Sequence, residues 1–179
     1  MKTIILSLWL AQFCLLRVEA EDQGAAEIDK SKIEGKWHIV ALASDSEGYL
    51  RKKDELKMAK ANISLLKNGI LKVSVAILTP EGCKKSERIF KKMDVPGEFY
   101  HSERDDRTAQ VMETDYKSYA IIFVSRVKDG KTLRMLRLYS RTQEVRPKIT
   151  ELFRKFAREL GFTDEMIKML PSQEECDTE

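Results

Sequence analysis

The stretch GKWHIVALASD, residues Gly35 to Asp45, decides the fold expected for this chain. A glycine lets the backbone turn in tightly, and a tryptophan two residues later is large enough to plug the closed end of a small β-barrel. Apolar side chains follow at both alternate sets of positions, so this strand is expected to be covered on both faces. The sequence therefore predicts that a barrel base begins at Gly35 and Trp37.

The next segment carries the clearest alternation of apolar and polar residues. A strand over residues 56–67 is followed by Asn68-Gly69, a dipeptide that favours the tight turn of a hairpin. A second strand over 71–77 continues the alternation. The residues expected to face inward on this hairpin are Ile63, Leu65, Val73 and Val75.

Further strands are separated by short turns rich in Pro, Gly and Asp. They are predicted at residues 83–92, 98–102, 107–113, 117–127 and 132–140. Eight short antiparallel strands with such turns are typical of an up-and-down barrel or a sandwich. Residues 46–55 are expected to form a long loop after the first strand.

The hydrophobic period changes near the C-terminus. Apolar side chains recur with helical spacing from Pro147 to Leu160, with Pro147 in the first turn and Gly161 just past the end. This amphipathic helix is expected to pack on the outside of the last two strands, against Phe123, Leu136 and Leu138. A further helical turn is predicted over residues 163–170.

The first 20 residues predict a secretory signal peptide. Lys2 is followed by an apolar run from Ile4 to Leu16, and Ala20 is the small residue expected before cleavage. The run is too short to span the roughly 30 Å hydrocarbon core of a membrane. The mature chain, residues 21–179, is expected to be a single secreted domain without membrane insertion.

Charge argues against nucleic acid as a partner. Removing residues 1–20 leaves 30 basic and 28 acidic side chains, which is too balanced for a polyanion-binding surface. Short basic runs such as Arg51-Lys52-Lys53 have acidic neighbours. They are interpreted as solvated surface, with an anion-binding rim as the alternative.

The cysteines and histidines argue against catalysis. Cys14 belongs to the signal peptide, which leaves Cys83 and Cys176 as one possible disulfide pair closing a loop of about 90 residues. Such a bond would staple the C-terminal tail to the middle of the domain and leave no thiol nucleophile. His38 and His101 make no metal cluster, and hydrolase and phosphate-loop motifs are absent. No enzyme activity, metal or cofactor is expected.

Three motifs together resemble the motif set of the lipocalins. Gly35-Lys36-Trp37 opens the first strand, Thr114-Asp115-Tyr116 precedes the seventh, and Arg141 follows the eighth. The likeness is greatest to the urinary, odorant-binding, salivary, milk and epididymal carriers. It implies an eight-stranded antiparallel up-and-down β-barrel with one C-terminal α-helix packed outside and residues 46–55 as a lid.

The resemblance also implies a structural role for the barrel base. Arg141 is expected to lie over the ring of Trp37 as a cation over an aromatic face, while Asp115 braces the adjacent turn. The base residues are Gly35, Trp37, Thr114, Asp115, Tyr116 and Arg141.

For the interior, the resemblance and the strand alternation together imply a cavity for a small hydrophobic or amphipathic molecule of the odorant, pheromone, fatty-acid or retinoid type. The alternative is an interior filled by its own side chains. The candidate cavity residues are Ile63, Leu65, Val73, Val75, Phe90, His101, Ala109, Val111, Ala120, Ile122, Val124, Met135, Arg137 and Tyr139.

Arg137, with Arg88 and His101, departs from the most apolar carriers. An unpaired cation inside a cavity needs compensation, so these residues predict a ligand with an anionic or strongly hydrogen-bonding head. Alternatively, an arginine bends to the rim or pairs with an internal carboxylate.

A second function remains open, in which the protein is a signalling or inhibitory lipocalin acting through its loops on a protein partner such as a cell-surface receptor. Homodimers are common in the family. Finally, Asn62-Ile63-Ser64 is an N-glycosylation sequon on the outward face of its strand. Its mid-strand position and the chance occurrence of such triplets leave its use open.

Overall fold

The chain folds around one closed sheet. The computed structural model describes residues 28–93, 96–101 and 106–178. The predicted signal peptide lies outside the described residues. Nine strands are present: β1 (Gly35–Ser44), β2 (Ala59–Leu65), β3 (Leu71–Thr79), β4 (Gly82–Lys92), β5 (Glu98–His101), β6 (Asp106–Thr114), β7 (Tyr119–Lys128), β8 (Lys131–Ser140) and β9 (Ile167–Met169).

Three helices accompany the strands. They are α1 (Lys30–Ile33), α2 (Glu47–Lys52) and α3 (Pro147–Glu159), with short 3₁₀ turns at Lys53–Glu55, Lys67–Gly69 and Asp164–Met166. No helix in the described ranges has the length and apolar character needed to cross a membrane.

Strand pairing closes the barrel. Neighbouring strands from β2 to β8 pair in chain order, β8 pairs with β1, and β1 pairs back with β2. Every pairing in the register is antiparallel. The predicted eight-stranded barrel with one C-terminal helix outside is therefore confirmed.

The segment after α3 differs from its prediction. Helical structure is limited to the 3₁₀ turn Asp164–Met166. Strand β9 then pairs with the second half of β1, from Ala41 onward, which we call its upper half; Met169 lies opposite Ala41. β9 can pair there because β2 pairs with β1 only as far as Ile39. Three residues are too few to show a strand period in the sequence.

A bulge in β1 divides that strand between two cores. The register to β8 shifts between Ile39 and Ala41. Trp37 and Ile39 therefore point into the barrel, whereas Ala41 and Ala43 point out toward α3. A bulge inserts one unpaired residue and reverses the alternation that follows it, which explains why apolar side chains occupy both faces.

The outer core holds α3 against the barrel. Ile149, Phe153 and Ala157 pack on Leu136 and Leu138, all buried. Phe153, Leu136 and Leu138 are fully excluded from solvent. The helix therefore covers the outside of β7, β8 and the upper half of β1, as its amphipathic pattern predicts.

Candidate functional site

The closed end of the barrel is built on Trp37. Its ring is 1% exposed, and its indole Nε1 donates to the carbonyl of Ile33 at 2.8 Å. The guanidinium of Arg141 lies over the ring, with Cζ 3.6 Å from the centroid. Gly35 has φ +107°, and a Cβ there would lie 3.1 Å from Nη1 of Arg141. A side chain at position 35 would therefore crowd the guanidinium, and the positive φ also favours glycine.

The guanidinium of Arg141 also donates to three backbone carbonyls. Nη1 donates to the carbonyl of Lys36 at 3.0 Å, Nη2 to that of Lys32 at 3.1 Å, and Nε to that of Tyr116 at 3.3 Å. These three bonds join α1, β1 and the turn before β7. Arg141 thus fastens the base together.

Asp115 organises that turn. Burial alone would raise its pKa, but hydrogen bonds from the Ser118 hydroxyl and from the backbone N–H groups of Tyr119 and Ser118 outweigh burial and lower the pKa. Thr114 Oγ1 donates to the carbonyl of Tyr119 at 2.6 Å and accepts from the backbone N–H of Tyr116 at 2.9 Å. These hydrogen bonds fix the turn before β7, as expected for residues that stabilise the base.

Above the base lies a cavity of about 310 Å³, which we call the main chamber. Its wall is mostly aliphatic and aromatic, with charged side chains on β4, β6, β7 and β8. The lining residues are Ile33, Ile63, Leu71, Val73, Val75, Ile77, Ser86, Arg88, Phe90, Phe99, Arg107, Ala109, Val111, Ile122, Val124, Arg126, Arg137 and Tyr139.

Most of the predicted cavity residues lie on this wall. Those in the main chamber are Ile63, Val73, Val75, Phe90, Ala109, Val111, Ile122, Val124, Arg137 and Tyr139. Met135 lines a second chamber described below. Leu65 and Ala120 instead pack in the inner core near the closed end.

His101 is buried but is not a lining residue. Its ring is 2% exposed and lies 5.6 Å from that of Phe90. Nδ1 lies 2.8 Å from the carbonyl oxygen of Ile89, just where β4 and β5 cease to pair. The imidazole therefore lies against the backbone of β4, buried beside the cavity-lining Phe90.

Four arginines line the main chamber. Arg88 and Arg137 were predicted to approach it, whereas Arg107 and Arg126 are lining residues that the predicted set omits. The signal was present in the sequence. Arg107 lies two residues before Ala109, and Arg126 two residues after Val124, so the same period of two places both side chains inward.

The lining of the main chamber contains no carboxylate among the described residues. Arg137 has only weak polar contacts, from Nη1 to Tyr139 Oη and from Nε to Met135 Sδ, both 3.4 Å. Arg88 makes no hydrogen bond or ion pair to a described residue. The positive charges of Arg88 and Arg137 can thus interact with a ligand in the cavity.

A second cavity of about 250 Å³, the lid chamber, opens beside the first. Val75, Ile77 and Arg137 line both chambers, so Arg137 stands at their junction. The other lining residues of the lid chamber are Ile39, Leu42, Gly48, Tyr49, Lys52, Leu56, Lys57, Ala59, Met135 and Leu170.

Residues 47–55, expected as a loop, form the lid of this chamber as α2 and a 3₁₀ turn. Ser46 caps α2 through its hydroxyl, which accepts from the N–H of Tyr49 at 3.3 Å. Tyr49 Oη lies 3.1 Å from the carbonyl oxygen of Leu42 and 2.9 Å from that of Met166. Burial, with a contribution from Asp54, raises the pKa of Tyr49 to about 12, so its hydroxyl remains a donor.

The C-terminal segment holds the lid in place. Lys168 Nζ lies 3.5 Å from Asp54 Oδ1, and the Lys53 ammonium donates to the carbonyl of Glu165. The disulfide between Cys83 and Cys176, with Cα atoms 5.4 Å apart, ties the tail beyond it to β4. The lid is therefore anchored to an element that is itself covalently fixed.

The site offers no obvious catalytic apparatus within the described ranges. No group of three or more His, Cys, Asp or Glu side chains is placed to hold a metal ion. Both described cysteines are in the disulfide. What the arrangement can do is enclose an amphipathic molecule and compensate negative charge on it.

Comparison with known proteins agrees with this geometry. The sequence profile of the Lipocalin / cytosolic fatty-acid binding protein family matches residues 34–174. The chain belongs to the lipocalin family.

Its relatives include binding proteins and an enzyme. The chain is 53% identical over 176 residues to the extracellular fatty acid-binding protein of Gallus gallus, covering 98% of this chain and 97% of that protein. The structure of a siderocalin, Ex-FABP, reported to function through dual ligand specificities, is 50% identical with a TM-score of 0.80, covering 83% of this chain and 99% of that one. Prostaglandin-H2 D-isomerase of Bos taurus is 32% identical over 180 residues, 94% of each chain. The protein is thus an extracellular lipocalin of the kind that carries small ligands.

Proposed function

We propose that the protein carries an amphipathic molecule with an anionic head, such as a fatty acid, held in the barrel by cavity arginines. The observation that carries this proposal is the placement of Arg88 and Arg137 on a cavity wall that contains no carboxylate among the described residues. An odorant or retinoid without a charged head would leave these cations uncompensated.

The energetic argument concerns desolvation. Partial burial of a guanidinium sacrifices hydration, and the cost is recovered only through charge partners or hydrogen bonds. Arg137 has two contacts at 3.4 Å, neither to a carboxylate. A bidentate carboxylate or phosphate-like head would complete its hydrogen bonds with the strong geometry that arginine favours.

The shape of the interior supports an amphipathic guest. The lid chamber is lined largely by apolar groups such as Leu42, Leu56 and Leu170, and it meets the main chamber at Arg137. A head bound at this junction can direct its apolar tail into either chamber. The name of the Gallus gallus relative, a fatty acid-binding protein, and the dual ligand specificities of the siderocalin Ex-FABP are consistent with two such modes.

The protein acts as a carrier and not as an enzyme in this proposal. The isomerase relative raises the alternative, but a cavity nucleophile is needed for covalent chemistry. Within the described residues no cysteine lines either chamber, and both described cysteines are in the disulfide.

Native mass spectrometry of the protein secreted by eukaryotic cells tests the proposal. We expect a bound lipophile at a one-to-one ratio, and organic extraction should identify an acidic head group. Displacement by a long-chain fatty acid should be far stronger than displacement by its methyl ester. Equal displacement by acid and ester would contradict the anionic-head assignment.

The same experiment addresses the second function. An empty barrel that also takes up no fluorescent lipophile would favour a lipocalin that acts through its loops on a protein partner. In that case the cavity arginines would bind no small molecule, and the carrier proposal would be wrong.

A further inference from the structure

The strand β2 carries the tripeptide Asn62-Ile63-Ser64, which has the N-glycosylation sequence pattern. Asn68 precedes Gly69 and Ile70 and does not share this pattern, so Asn62 is the one sequon in the sequence. Because the protein is extracellular, its chain passes through the compartment in which such asparagines are modified. Whether Asn62 can carry a glycan then depends on where its side chain points.

Alternation along β2 places Asn62 on the outside of the barrel. Its neighbours Ala61 and Ile63 are 1% and 5% exposed and belong to the inner core, whereas Asn62 is partly exposed. Successive residues of a strand point to opposite faces, so the amide of Asn62 projects away from the cavity. A bulky group there leaves the ligand chambers untouched.

The surroundings of Asn62 can accommodate a sugar. Its register partners are Lys36 on β1 and Ser74 on β3, both polar and both at least partly exposed. The side-chain amide of Asn62 has no hydrogen-bond partner among the residues that the structure describes. Glycosylation would therefore break no side-chain interaction seen in the fold.

Neighbouring segments approach this face without covering Asn62. The helix α3 packs on the opposite side, against β7, β8 and the upper half of β1. The C-terminal tail reaches β2 at Lys60, whose ammonium lies 3.6 Å from the Asp177 carboxylate, one outward position before Asn62. Leu66, just after β2, is 42% exposed and is one of the few large apolar side chains on the surface.

From this placement, we infer that Asn62 is an N-glycosylation site. The glycan projects from the outer face of β1 to β3 at the level of Lys36, Asn62 and Ser74, between the C-terminal tail and the closed end.

The test is the intact mass of the full chain secreted from eukaryotic cells, before and after treatment with peptide-N-glycosidase. We expect a carbohydrate-bearing species that loses its sugar on treatment, with conversion of Asn62 to Asp at the released site. Asn62→Gln and Ser64→Ala should each abolish the carbohydrate. Ser64→Thr keeps the sequon and should retain it, and Ser74→Ala, on the adjacent outward position, is the matched control that should also retain it.

Two results would overturn the inference. One is a secreted wild-type chain whose mass equals that of the polypeptide alone. The other is carbohydrate that persists in Asn62→Gln, which would assign it to another residue. Ligand affinity should be the same before and after sugar removal, because Asn62 faces away from both chambers.

Discussion

Two arginines four residues apart in the chain have opposite surroundings. Arg141, just beyond β8, has three carbonyl acceptors and an indole ring beneath it. Arg137, within β8, faces the cavity with two polar contacts at 3.4 Å. The first is satisfied by the protein itself, whereas we propose that the second is completed by a ligand that enters the barrel.

This contrast separates structural from functional cations by their partners. A guanidinium whose donors are all matched within the fold stabilises the fold. A guanidinium held against an apolar wall with only weak acceptors costs stability in the empty protein, and we propose that Arg137 serves ligand binding. The following substitutions test whether the two arginines divide in this way.

The largest expected effect is that of Arg141→Ala. Loss of the cation–aromatic contact and of three hydrogen bonds to carbonyls should lower the free energy of unfolding by about 2–3 kcal/mol. For a chain of this size the melting temperature should fall by roughly 4–12 °C. Thermal and urea unfolding measure this loss of stability. An unchanged melting temperature together with a loss of ligand binding would show that Arg141 serves binding and not the stability of the base.

Tyr49→Phe should have a smaller effect and sharpen the comparison, because Tyr49 belongs to the lid of the chamber that Arg137 lines. The hydroxyl bridges the carbonyls of Leu42 and Met166, so its loss should cost about 1 kcal/mol. We expect faster amide hydrogen exchange in residues 47–55 and faster ligand dissociation. Unchanged hydrogen exchange in this segment would show that the hydroxyl of Tyr49 does not hold the lid.

Arg137→Met should leave the empty barrel as stable as the wild type, or more stable by up to about 1 kcal/mol, because an uncompensated cation is replaced by an apolar side chain of similar length. Arg134→Met is the matched control on the outer face, where the guanidinium pairs with Asp45 at 2.8 Å. That control should lose stability, because the guanidinium also donates to the carbonyl of Leu160 and lies over the ring of Phe162, but it should lose no ligand affinity. A large loss of stability in Arg137→Met would show that this arginine stabilises the fold, as Arg141 does.

The smallest effect concerns pH and His38. Burial lowers the pKa of His38 below its usual 6.5, Lys60 adds to this effect, and Asp177 opposes it. The unfolded chain therefore binds the proton more readily, and stability should fall as the pH drops below about 6.5. His38→Gln should flatten this part of the stability curve, and equal slopes in both proteins would show that another group is responsible.

The sequence predicted the base and most of the walls because both depend on local rules. Gly35 and Trp37 are specified by backbone freedom and side-chain size, and inward residues such as Ile63 and Val73 follow from the period of two. The same period, carried to the strand ends, would have included Arg107 and Arg126. Their inward direction could therefore have been predicted from the sequence.

Other features depend on tertiary contacts that no local pattern records. The bulge after Ile39 turns Leu42 toward the lid chamber and Ala43 toward α3. His101 is turned to the carbonyl of Ile89 by the divergence of β4 and β5. The lid helix α2 is short, and it is fixed by Tyr49 reaching the C-terminal segment far along the chain.

The central claim is that Arg137 recognises a negative charge on the ligand. Isothermal titration of a long-chain fatty acid and of its methyl ester, each into the wild type and Arg137→Gln, tests it most directly. We expect the wild type to prefer the acid by about tenfold or more, equivalent to roughly 1.4 kcal/mol, and the variant to lose this preference while binding the ester as before. An acid preference of the same size in both proteins would contradict the account.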